Sequence, residues 1–158
     1  MPRIHTTYFG ELDYTEGTVF HFPYGLPGFE HERAFLFLKQ PHTDPLLFLQ
    51  SLSDPKLCFI LLPILVVDEN YKVNVDAEDL AALHLPLHRQ PRIGEEILCA
   101  AIVSTAEGEG PTANLMAPVV VNIKEQIGLQ AIQADSPYSH RHRIAPSNQR
   151  DKELAPCS

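Results

Sequence analysis

"PVVVNIKEQIGLQAIQ", residues 118–133, holds two short apolar runs on either side of a polar tetrad. The first flank, 118–123, is rich in Val and Ile, which suits a pleated, packed surface, and the second, 128–133, carries Leu129, Ala131 and Ile132. The stretch reads as a β-hairpin around "KEQI", with Gly128 at the exit of the turn. A chain that opens and closes strands this tightly belongs to a β-rich class, and the same pattern recurs in both directions from here.

Upstream, "ILCAAIV" (97–103), "LCFILL" (57–62), "LLFLQS" (46–51) and "RAFLFL" (33–38) are short runs bounded by Gly, Pro or Asp. "TVFHF" (18–22) and "RIHTTYF" (3–9) continue the series. One helix interrupts it. Asp76 can cap "AEDLAALH", with Glu78 and Asp79 in the first turn, where negative charge suits the helix dipole. Leu80 and Leu83 share its buried face, and Pro86 ends it. Many short strands with one or two short helices predict a mainly β fold, a single antiparallel β-barrel-like domain over residues 1–143. Residues 144–158, "IAPSNQRDKELAPCS", have too few large apolar groups to offset their ordering entropy and are expected to be a mobile tail.

Charge and composition exclude several classes. The chain has 12 Lys and Arg against 20 Asp and Glu, net −8; up to Tyr138 the balance is 8 against 18, or −10. Such a surface repels phosphates, so direct nucleic-acid binding is not expected; it would complement a basic protein partner, but acidic balance also serves solubility by itself, and charge alone names no partner. The longest apolar run, Leu57 to Val67, is interrupted by Pro63 and is about half of the roughly 20 residues a membrane span needs. "MPRIHTTYFG" lacks a signal peptide's apolar block, so a cytoplasmic protein is expected. Cys58, Cys99 and Cys157 have no spacing that suggests a disulfide framework or a zinc site.

Catalytic signatures are missing: no G-x-x-x-x-G-K-[ST], G-x-G-x-x-G or G-x-S-x-G occurs. "AEGEGPTAN" (106–114) is glycine-rich, but Glu107 and Glu109 would oppose a phosphate. His84 and His88 have the spacing of a helical metal pair, with Pro86 between them to break the helix; His140 and His142 sit among arginines. Adjacent carboxylates such as Glu95–Glu96 read as a solvated face. No enzyme, metal or cofactor is expected.

"FPYGLPGFE", residues 22–30, packs two prolines and two glycines between aromatics. "F-P-Y-G" has the proline and glycine positions of a type I turn, and "L-P-G-F" those of a type II turn, whose third residue needs positive φ. Two successive turns make a stiff corner that Phe22 and Phe29 can pin to the core; its tip, Tyr24 to Leu26, is also suited to touch a partner at low entropic cost. In "LQSLSDPKLCFILLP" (49–63), "S-D-P-K" is a second turn, and Gln50 and Asp54 are polar groups suited to bonding its backbone.

Taken in order, "TTYFGELDY" (6–14), "FHFPYGLPGFE" (20–30), "FLQSLSDPKLCFILLP" (48–63), "PTANLMAPVVVNIKEQIGLQAI" (111–132) and "DSPYSHRH" (135–142) resemble the FliW family of flagellar assembly factors. The resemblance implies a small cytoplasmic β-barrel-like binder, not an enzyme. It implies two partners: flagellin, and CsrA, an RNA-binding translational repressor that would release the flagellin message when bound. A flagellin-only export chaperone is the alternative, and a barrel enzyme or ligand binder a third. Within the matching motifs the expected exposed contacts are Tyr24 and Leu26, then Gln50, Ser51 and Asp54, then Asn114 and Asn122. Each also has an ordinary reading as a turn or backbone hydrogen-bonder. Residues 66–95 match no motif, and the basic residues after Arg143 look additional; both bear on partner preference.

Overall fold

The computed structural model describes residues 2–106, 108 and 110–144. The chain opens with a hairpin, β1 (Arg3–Thr6) and β2 (Gly10–Asp13), that forms a two-stranded sheet of its own. The expected strand 3–9 therefore stops at Thr6, and residues 7–9 turn the chain into β2. Thr6 folds the chain back: its hydroxyl donates to Gly10 O at 2.8 Å and accepts from Phe9 N at 2.9 Å.

The barrel is built from β3 (Val19–His21), β4 (Ala34–Leu38), β5 (Leu47–Ser51), β6 (Cys58–Pro63), β7 (Ile97–Ala106), β9 (Val119–Asn122) and β10 (Ile127–Gln130). Between β7 and β9 lies β8 (Gly110–Ala113), and β11 (His142–Arg143) follows β10. Neighbouring strands from β3 to β7 pair antiparallel; β7 also pairs with β9, β9 with β10, and β10 returns to β3, closing seven strands. The last contact is the exception to the antiparallel expectation, a parallel pair of Ile127 with His21. Gln126 reinforces it: its side-chain amide donates to Gly17 O at 2.7 Å and Val19 O at 2.8 Å.

β7 serves two ladders. Residues 97–100 pair with β9, while 103–106 leave the barrel and pair with β8, which carries β11 on its far side. Side chains on β7 alternate between two cores. Leu98, Ala100 and Ile102 face the lumen with Phe22, Phe35, Leu49, Leu61, Val119 and Val121. Ile97, Cys99 and Ala101 face outward into a second cluster with Val120 and Leu129. Burial on both faces explains why "ILCAAIV" is continuously apolar instead of alternating.

Residues 64–93, which include most of the 66–95 stretch without a matching motif, cover that outer face. α1 (Ile64–Val67) and α2 (Ala77–Ala82) bring Ile64, Tyr71, Val75, Leu80 and Leu83 onto it. Asp76 caps α2 as expected, accepting from Asp79 N at 2.8 Å, and Leu80 and Leu83 are buried. Two short helices agree with the expected one or two, although the place of α1, in the apolar run "PILVV", carries no helix signal. At the chain's far side Ile144 packs on the same cluster; residues 145–158, where most of the expected tail falls, lie outside the described residues.

The hairpin of 118–133 forms with Ile127 opposite Asn122. Gly128 is not at the turn's exit but inside β10, opposite Val121; Gln126, at φ 58°, takes the left-handed position instead. The glycine is needed in the lumen, where a Cβ would meet the Phe22 ring at 2.7 Å.

Candidate functional site

β3, β5 and β10 finish, and β4, β6 and β9 start, at one end of the barrel; three connections meet there. The first is the corner after β3. Gly25 N donates to Phe22 O at 2.8 Å, closing the first turn, and Phe29 N donates to Leu26 O at 2.6 Å, closing the second. Gly28 has φ +85°, as the type II reading requires. Gly25, at φ +63°, has no room for a Cβ, which would lie 2.6 Å from the Glu30 backbone. Phe22 and Leu26 enter the lumen, and Phe29 meets Phe59 edge to face at 5.4 Å. The corner is thus both a fold element and a plug, and Tyr24 projects from it, 50% exposed.

The second connection is the turn between β5 and β6. Leu57 N donates to Asp54 O, and Lys56 N to the Asp54 carboxylate at 3.0 Å. Gln50, fully buried, donates from Nε2 to Ser51 O at 3.0 Å, and to Asp54 O and Pro55 O at 3.4 Å. Its Oε1 has no partner among the described residues. Ser51 Oγ accepts from Ser53 N at 3.2 Å and Asp54 N at 3.0 Å, and donates to Glu32 Oε1 at 2.5 Å. Ser53 Oγ donates to the same carboxylate oxygen. Those hydroxyl bonds, Ser51's first, hold Glu32 below the usual carboxylate range.

The third is the connection from β8 to β9. Asn114 Oδ1 accepts from Met116 N and Ala117 N, each at 3.0 Å, while Gln130 Nε2 donates to Ala117 O at 2.8 Å. The loop is templated by its own side chain, as asparagine does at such turns.

Of the seven residues expected as exposed contacts, Tyr24 is exposed and Asp54 and Asn114 half-buried, all three at this end. Leu26 is 1% exposed, drawn inward because the second turn points it into the lumen. Gln50 and Ser51 are buried because they bond the turn's backbone and Glu32. Asn122 lies at the opposite end, 5% exposed, donating to Leu83 O at 2.7 Å and so tying β9 to α2. Exposure fails for these four. Glu32, in contrast, carries no sequence mark: in "GFEHER" nothing separates it from the exposed Glu30 two positions earlier.

At the opposite end the lumen opens into a cavity of about 200 Å³ lined by Phe20, Phe37, Leu47, Leu98, Val121 and Ile123, with Lys39 at its edge. Elsewhere chemistry is sparse. Burial raises the Cys58 thiol to about 11 and Cys99 to about 12, so both are poor nucleophiles. Among the described residues no cluster of three or more His, Cys, Asp or Glu has a metal-binding arrangement, and no helix is long and apolar enough to cross a membrane.

Known proteins match along nearly the whole chain. The sequence model of the family described as FliW protein matches residues 3–144. The flagellar assembly factor FliW of Syntrophomonas wolfei is 31% identical, over 96% of this chain and 94% of its own. That of Anoxybacillus flavithermus is 32% identical, over 91% and 95%. A crystal structure of the flagellar assembly factor FliW superposes with a TM-score of 0.79 at 30% identity, covering 90% of this chain and 96% of the other.

Proposed function

The chain belongs to the FliW family of flagellar assembly factors, and on that footing we propose that it binds flagellin and the translational repressor CsrA. Bound to CsrA it antagonises CsrA on the flagellin message; captured by flagellin it lets repression resume. The observation that carries the reading is Tyr24, a half-exposed aromatic held on a hydrogen-bonded, glycine-dependent turn that the buried Phe22 and Leu26 anchor on either side. A rigid amphipathic aromatic loses little entropy on docking, which is why such residues dominate protein contacts. Asp54 and Asn114, half-buried at the same end, provide polar rim groups. The acidic surface adds long-range repulsion of RNA phosphates from a CsrA molecule that carries this protein, and raised salt should then weaken the antagonism.

The test is titration of the protein into CsrA of the same organism by calorimetry, alone and with flagellin leader RNA prebound. Binding with release of RNA is the expected result. No binding to active CsrA would leave the narrower reading, a chaperone for flagellin alone. That reading draws support from the open apolar cavity at the other barrel end, which suits an apolar face of a client helix.

A further inference from the structure

Among the described residues Glu32 is the carboxylate that the corner and the β5–β6 turn share. It closes the corner through its own N–H, which donates to Phe29 O at 3.0 Å, and it receives the Ser51 and Ser53 hydroxyls of the β5–β6 turn. An ionised carboxylate only accepts, so both hydroxyl protons must point at it. That polarity leaves the Ser51 lone pairs for Ser53 N and Asp54 N, the two bonds that shape the turn. His31 Nε2 lies 3.2 Å from the other carboxylate oxygen, on the solvent side.

We propose that Glu32 is a positioning residue for partner binding: it locks the Asp54 turn to the Tyr24 corner so that both meet a partner as one preformed surface. The proposal rests on the reading that partners dock at this end of the barrel. Its physical basis is direction. Apolar groups would join two loops with less desolvation, but they permit sliding, whereas two hydroxyls converging on one carboxylate oxygen define a single register. Phe29 against Phe59 already supplies apolar adhesion between the same two segments, so the carboxylate is not required for that. A surface assembled beforehand spares the ordering entropy that binding otherwise costs.

The test compares wild type, Glu32→Ala and Glu32→Gln by calorimetry against flagellin and CsrA of the same organism, with thermal unfolding and amide hydrogen exchange alongside. Glu32→Ala should weaken binding about tenfold or more through a less favourable entropy, the scale of losing one well-placed interface anchor. Exchange at Ser53 and Asp54 should rise while Val120 and Val121 stay protected. Glu32→Gln still accepts from both serines and should recover most of the affinity. Unchanged binding by Glu32→Ala with a loosened turn would overturn the proposal. So would a loss of binding accompanied by faster exchange throughout the barrel, which marks a purely structural role. If wild type binds neither protein, the functional reading itself fails, and this proposal with it.

Discussion

Gly128 on β10 lies directly under the ring of Phe22, close enough that one added carbon would sit 2.7 Å from Cζ and 3.0 Å from Val121 Cγ2. No left-handed backbone is involved; the glycine is there for space. Gly128→Ala should therefore destabilise by about 1–3 kcal/mol, the usual range for overpacking a filled core. Urea unfolding would measure it. Phe22→Leu in the same chain should recover part of the loss, because the clash is with that ring.

Leu26 and Tyr24 sit two residues apart and should behave oppositely. Leu26→Ala removes a lumen side chain and should cost about 2–5 kcal/mol. Tyr24→Ala should shift stability by less than about 0.5 kcal/mol, as exposed positions do, yet weaken binding to the protein partners. Melting and calorimetry on both variants separate the two roles.

Glu32 gives the acid limb of stability a definite sign. Its folded-state pKa lies below the ordinary value of 4.5 because serine hydroxyls bond the charged form. A depressed carboxyl contributes stability that is complete above the unfolded value and is lost as pH falls through the folded one. Denaturation midpoints between neutrality and pH about 3 should drop more steeply in wild type than in Glu32→Gln, which has no proton to take up there.

Asn122→Ala should destabilise by about 1–3 kcal/mol, since it strands the buried Leu83 carbonyl that Nδ2 now satisfies. Partner binding, measured on the folded variant, should not change, because the residue is buried at the other end of the barrel.

Sequence reading succeeded where the information is local. The 118–133 hairpin, the two proline–glycine turns and the Asp76 cap each depend on residues within a few positions of one another. It missed what depends on distant partners. Leu26 looks like a turn tip until the lumen is closed around it, and Asn122 looks like a hairpin residue until Leu83, 39 positions away, comes within reach. "PILVV" continues the apolar run of β6, and nothing within it marks where the strand ends and α1 begins. The same distance hides Glu32, whose donors lie 19 and 21 residues downstream.

The parallel seam of His21 with Ile127 joins chain segments more than a hundred residues apart through a single register pair. Every other strand contact of the barrel can form before it, whereas this one must wait for both halves of the chain to be in place. Contacts of such long range are the slow ones in folding, and a seam this narrow is held less by its own ladder than by the Gln126 amide clasping Gly17 and Val19. The barrel is therefore a ribbon with a clasp. Its closure is expected to come last in assembly, and amide exchange of the folded protein to be fastest where the clasp holds the two strands together.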